Sequence, residues 1–147
     1  MNSYSELTKL IEQILEPVLD VSTLTPRSPS VFEAGAPWER TVFKWGSSRT
    51  GEDRSVAVYV GTISDGAQQA ADIREMIALE TMPGDEAFEV PESVDGEFVF
   101  GLGYLGRVIA IAGSCQVDIY PSPPMVPLST LVEPALEIAR SIDRAQP

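Results

Sequence analysis

The sequence predicts an α+β domain: an antiparallel sheet of about five strands with helices packed on it, in the order α-β-β-α-β-β-β-α. Three observations predict it. Apolar residues recur at helical spacing near both ends of the chain, as Leu7, Leu10, Ile11, Ile14, Leu15 and Val18 and again as Leu131, Ala135, Ile138, Ala139 and Ile142. Short runs rich in Val, Ile, Phe and Tyr, separated by Gly, Ser and Asp, fill the middle. Strands are grouped in sets of two and three, the grouping of an antiparallel layered domain. The 147 residues, 44% apolar and 22% charged, suit a single globular domain spanning 1–147. At this length roughly 68% of the unfolded surface can be buried, so stability requires neither a metal nor a disulfide.

The elements follow in order. Residues 3–19 form the first helix, with Ser3 and Glu6 spaced as a capping box and Pro17 near its end. Residues 22–37 hold three prolines (Pro26, Pro29, Pro37) and read as an extended loop. Residues 39–46 and 55–61 read as a hairpin joined by the polar turn Thr50-Gly51-Glu52-Asp53. Residues 64–80 form the second helix, with Ser64 as N-cap and Asp65 complementing the positive helix end. Its apolar face is weaker (Ala67, Ala70, Ala71, Ile73, Ile77, Leu79), and Pro83-Gly84 stops it. Residues 85–96 read as an acidic loop. Strands at 97–104, 107–112 and 115–120 follow; Val117 and Ile119 alternate with Asp118 as a half-buried strand requires. Pro121, Pro123, Pro124 and Pro127 make a stiff crossing. The last helix spans 129–144, with Thr130 and Glu133 spaced as a second capping box.

Charge is segregated. The chain has 22 acidic and 10 basic residues and no His, a formal net charge of −12. The 32 residues from Glu75 to Gly106 hold eight carboxylates and no Lys or Arg, leaving −4 for the other 115. Concentrated charge steers partners as well as conferring solubility. It argues against nucleic acid and anionic membrane surfaces as ligands. A basic protein is the partner this charge selects, with Asp85, Glu86, Glu89, Glu92, Asp95 and Glu97 as the contact residues. Trp38, after Pro37 in a loop, either anchors that interface or caps the core. Trp45 belongs in the core.

Catalytic readings find little footing. Without His, Ser-His-Asp and Cys-His chemistry, most zinc sites and the usual neutral-pH base are gone. Gly101-Leu102-Gly103-Tyr104-Leu105-Gly106 matches the GxGxxG pattern of dinucleotide-binding turns. The segment after it (Arg107 to Ala112) is short and β-branched, a strand rather than the required helix, so a bent meander is expected. The acidic cluster lacks the ligand spacing of an EF-hand, so no metal is expected. Cys115, in an apolar run, is expected to be a small buried hydrophobe. No catalytic residue and no cofactor is expected. The N-terminus lacks the pattern of a signal peptide and no apolar run spans a bilayer, so the expected setting is the cytoplasm.

Small size, strong acidity, an opening amphipathic helix, a hairpin, a central helix, further strands and a closing amphipathic helix together resemble class I type III secretion chaperones. That resemblance implies a homodimer holding an extended client on helices and sheet edges. The chain departs from it in the proline-rich segment 121–127 and the Ala-rich central helix. The stretch Gly113 to Tyr120, followed by Leu128 to Ile142, is similar to actinobacterial lipoprotein-type sensor domains, which implies a small-molecule or lipid ligand. Those domains carry an export signal and often a Cys pair, and neither is seen here. The sequence thus favours a non-enzymatic binder of a basic protein, an immunity protein or an escort, over a small-ligand sensor or an enzyme.

Overall fold

The computed structural model describes residues 4–26, 30–31, 40–47, 54–80, 87–91, 94, 96–103, 106–122 and 126–145. Its elements are α1 (Tyr4–Leu19), β1 (Thr25–Pro26), β2 (Ser30–Val31), β3 (Arg40–Gly46), β4 (Ser55–Thr62), α2 (Gly66–Glu80), β5 (Ala87–Val90), β6 (Glu97–Leu102), β7 (Arg107–Ala112), β8 (Cys115–Ser122) and α3 (Val132–Ala145). Short 3-10 turns at Val21–Thr23 and Leu128–Leu131 follow α1 and lead into α3. The α+β class and the antiparallel sheet are as expected; the strand count is not. Every pairing is antiparallel, in the order β1-β3-β4-β8-β7-β6-β5, with β2 also pairing β3.

Three added strands account for the difference. β1 and β2 are two-residue pieces in the stretch expected to be loop. β5 lies inside the segment expected to be an acidic loop. Phe88 and Val90 alternate there with Ala87 and Glu89, and the strand pairs with β6 from Ala87↔Leu102 to Val90↔Val99. Four residues flanked by acids give too short an alternation to register against the surrounding charge. What stabilises β5 is tertiary: Phe88 lies opposite Gly101, so closely that a Cβ on Gly101 would sit 2.0 Å from the ring. An aromatic ring covering a strand glycine buries the backbone that the glycine would expose. The first glycine of the GxGxxG pattern therefore makes room for a ring, not for a pyrophosphate. The pattern's other two glycines flank the turn into β7, where the Gly106 N–H donates to the Gly103 carbonyl at 3.2 Å.

The helices lie on both faces of the sheet. One face carries Phe43, Trp45, Val56, Val58, Val99, Val108, Ala110, Val117 and Ile119, packed with Ile11 and Leu15 of α1 and Ala135, Ile138 and Ala139 of α3. Trp45 is in this core, 1% exposed, as expected. The other face carries Phe98, Phe100, Leu102, Ile109 and Ile111 beneath Ala70 and Ile73 of α2. β6 and β7 are thus buried on both sides and read as nearly continuous apolar runs.

Helix ends differ from the sequence expectation in detail. Asp65, not Ser64, caps α2: its carboxylate accepts from the Gln68 N–H at 3.1 Å. A carboxylate at this position satisfies a free N–H and also the positive helix end, a gain a hydroxyl lacks. The Thr130–Glu133 capping box does not form, because the chain enters α3 through a 3-10 turn and the Thr130 hydroxyl donates to the Pro127 carbonyl at 2.7 Å. The end of α1 is as expected, at Leu19, two residues after Pro17: the Asp20 N–H donates to the Glu16 carbonyl, and Asp20 is left-handed at φ 51°. Ser3 and the turn 50–53 lie outside the described residues.

The C-terminal part of α3 is clamped to the sheet. The Asp143 carboxylate accepts from both the backbone N–H and the hydroxyl of Ser114, each at 3.0 Å, in the β7–β8 turn. Gly113 beside it has φ +59°, and a Cβ there would lie 2.2 Å from that carboxylate. Cys115, 0% exposed, follows directly; burial and, secondarily, the charge of Asp143 push its thiol up to about 12.

Two measurements check this packing. Gly113→Ala should lower unfolding free energy by about 2–3 kcal/mol in urea, the sum of left-handed strain and a displaced Asp143 carboxylate. Gly96→Ala, also at positive φ (+87°) but with nothing within 4 Å among the described residues, should cost only about 1 kcal/mol; equal losses would mean the clamp contributes nothing. Cys115 should react with an aromatic disulfide reagent at about pH 8 only as fast as the protein unfolds.

Candidate functional site

The carboxylates proposed from the sequence fall into two groups. Glu89 and Glu97 are described, on β5 and at the start of β6. Asp85, Glu86, Glu92, Asp95 and Trp38 lie outside the described residues. Both described carboxylates are engaged by arginines from outside the acidic stretch. Arg74 of α2 donates through Nε and Nη2 to the two Glu89 oxygens at 2.8 and 2.7 Å. Its guanidinium also lies 5.7 Å from the ring centroids of Phe98 and Phe100. One side chain thereby ties α2 to the edge strand and covers two core aromatics. Arg140 of α3 donates to Glu97 through Nε and Nη2 at 2.9 and 2.6 Å, and these bonds raise its pKa further. Glu89 and Glu97 are therefore fold-holding groups first. The two cations were legible in the sequence, Arg74 standing one residue before the stretch, but only helix packing reveals what they face.

Exposed apolar side chains supply a signal that sequence reasoning missed. Among the described residues the large ones are Leu79 (78% exposed), Val94 (48%) and Tyr120 (36%). Two of these three, Leu79 and Val94, fall within the acidic stretch. Leu79 counted as part of the apolar face of α2 in the sequence; in the structure Ala70 and Ile73, with Met76 and Ile77 partly buried beside them, make that face and Leu79 points away from it.

The half of the sheet beyond α2 is different. There β3, β4 and β8 lie side by side, with Gly46, Ser55 and Ser122 in one cross-strand row and Lys44, Ala57 and Tyr120 in the next. The third row is Val42, Tyr59 and Asp118. Small side chains (Gly46, Ser55, Ala57, Ser122) form a floor, and Lys44, Tyr59 and Tyr120 stand around it. The resulting concavity has a volume of about 560 Å³. It is separated from the α2 core by a buried polar line. Gln69 of α2 donates to the Gln116 carbonyl oxygen at 2.8 Å, Gln116 donates to Asp118 at 2.9 Å, and Arg107 lies 3.4 Å from the other Asp118 oxygen. Asp118 is 3% exposed, so those partners are what permits a carboxylate there. No cluster of three or more metal-ligating side chains occurs among the described residues.

The molecule is thus a three-layer α/β/α domain with an antiparallel sheet, exposed apolar residues at Leu79 and Val94, and an open concavity lined by Lys44 and two tyrosines on the sheet. Residues 3–146 match the family described as "Domain of unknown function (DUF7956)", and the chain belongs to that family. No curated protein and no solved structure matches the chain. None of its described helices is long and apolar enough to cross a membrane.

The Arg74–Glu89 pair has a pH consequence. Hydrogen bonds from Arg74 hold the Glu89 carboxyl below its ordinary value of 4.5. The folded state then binds this proton less readily than the unfolded chain. The stabilisation is present above about pH 4.5 and fades as pH falls through the folded-state value. Both partners are more than a third exposed, so the effect is small, about 0.5 kcal/mol and screened by salt. Glu89→Gln should remove that share of the acid limb of a stability–pH curve and leave the neutral-to-alkaline slope unchanged.

Proposed function

We propose that this chain is a non-enzymatic protein-binding domain that engages a basic protein through its 75–106 segment. The observation that carries the reading is the pairing of charge with exposed apolar surface: Leu79 and Val94 lie in the stretch that holds eight carboxylates. Charge alone gives steering and solubility; affinity needs apolar side chains to bury at the centre of a contact. The two arginine pairs narrow the contact set. Glu89 and Glu97 support the surface, and Asp85, Glu86, Glu92 and Asp95 are the steering charges, with Trp38 as a further anchor.

An immunity protein that occludes a basic toxin cleft, or an escort for a secreted client, is the role this arrangement fits. The layout shared with type III secretion chaperones supports the escort and adds a homodimer to the proposal. The small-ligand alternative, placed between sheet and helix, finds less support. That space is filled by side chains such as Phe43, Trp45, Ile11, Leu15 and Ile138, each 1% exposed or less.

The test is affinity capture from the native host with three baits: the parent chain, Asp85→Asn/Glu86→Asn/Glu92→Asn, and Leu79→Ser/Val94→Ser. The expected result is a stoichiometric basic protein held by the parent, released as salt rises from about 50 to 500 mM. The charge variant should bind it more slowly and the apolar variant more weakly. Equal retention of the same proteins by all three baits would refute the reading.

A further inference from the structure

We infer that the concavity on the open half of the sheet is a binding site for a small organic anion with a planar ring, separate from the acidic protein-binding surface. Its shape follows from residue size. Gly46, Ser55, Ala57 and Ser122 occupy adjacent register positions on three neighbouring strands, so the floor is low over an area about three strands wide. The tall side chains around it are cationic or aromatic. At about 560 Å³ the space is of the size that takes a small ligand.

Charge decides what kind. In a chain of −12, carboxylates abound, and Arg74, Arg107 and Arg140 each pair with one. Lys44, the cation that stands in these rows, has no carboxylate partner among the described residues. The one carboxylate in the neighbouring rows, Asp118, is already held by Gln116 and Arg107 and so does not neutralise the site. An anionic group on Lys44 would meet a charge-assisted donor, and a ring beside it would meet Tyr59 and Tyr120. The long-range repulsion of the chain's net charge disfavours a highly charged ligand, so a single carboxylate suits the site better than a polyphosphate.

The experiment is an amide NMR titration of the isotope-labelled full chain with naphthoate, its neutral analogue naphthamide, and a short acetylated acidic peptide containing Tyr. The expected result is saturable naphthoate shifts in β3, β4 and β8 around Lys44, Ala57 and Tyr120, with naphthamide at least about tenfold weaker. Lys44→Met, at an exposed strand position, should keep the spectrum of the folded protein and weaken naphthoate about tenfold. Tyr120→Ala should weaken both naphthalene probes. Shifts scattered over the surface, or equal binding of naphthoate and naphthamide, would overturn the anion assignment. Saturable binding of the peptide without naphthoate would overturn the small-ligand assignment and make the face a peptide groove. Because the probes contact neither Leu79 nor the acidic stretch, either outcome leaves the capture experiment to decide the protein-binding reading independently.

Discussion

The eight-residue antiparallel pairing of β4 with β8 is the contact on which the rest of the structure depends. Without it the chain is two separate pieces, a β3–β4 hairpin and a β5–β8 meander, each with an unpaired edge. With it the sheet is continuous, and one face becomes wide enough for α1 and α3 to pack side by side. The pairing joins residues about 60 positions apart, so chain entropy opposes it until side chains on both faces reward it. Val56 and Val58 opposite Pro121 and Ile119 supply that reward on the α1–α3 side.

The opposite face shows what the same pairing leaves undone. α2 covers β6 and β7 and stops at β8, where Gln116 and Asp118 mark the boundary. Beyond it the side chains change from Phe, Leu and Ile to Lys, Ala, Tyr and Ser. One sheet therefore has a sealed half and an open half on the same face. The open half is built from register: small residues of three strands fall beside one another only because β4 lies between β3 and β8.

Electrostatics follows the same division. At the sealed half Arg74 and Arg140 draw Glu89 and Glu97, two carboxylates of the acidic stretch, into fold-holding pairs. Lys44, which has no carboxylate partner among the described residues, lies at the open half. These are the two surfaces for which we propose, respectively, a basic protein and a small organic anion. The pairing of Asp143 with the β7–β8 turn is a third use of a carboxylate, purely architectural, and it binds α3 to the end of the sheet farthest from the concavity floor.

Much of the fold was legible in the sequence because its signals are local. The helical stripes of α1 and α3, the hairpin of β3 and β4, and the bounds of β7 follow from periodicity and turn residues, which neighbouring residues alone determine. The burial of Trp45 and Cys115 was legible for the same reason. β5 was not, because its stability comes from Gly101 across the sheet and Arg74 above it. The roles of Glu89 and Glu97 were hidden likewise: a carboxylate in an acidic run reads as solvated until a distant arginine folds onto it. The concavity left no linear trace, since its floor and rim come from residues 44 to 122. Composition and periodicity determined the class of fold and the acidity of the surface. Only the tertiary structure decided which charges are neutralised and which remain to meet a ligand, because that depends on long-range strand register and helix packing.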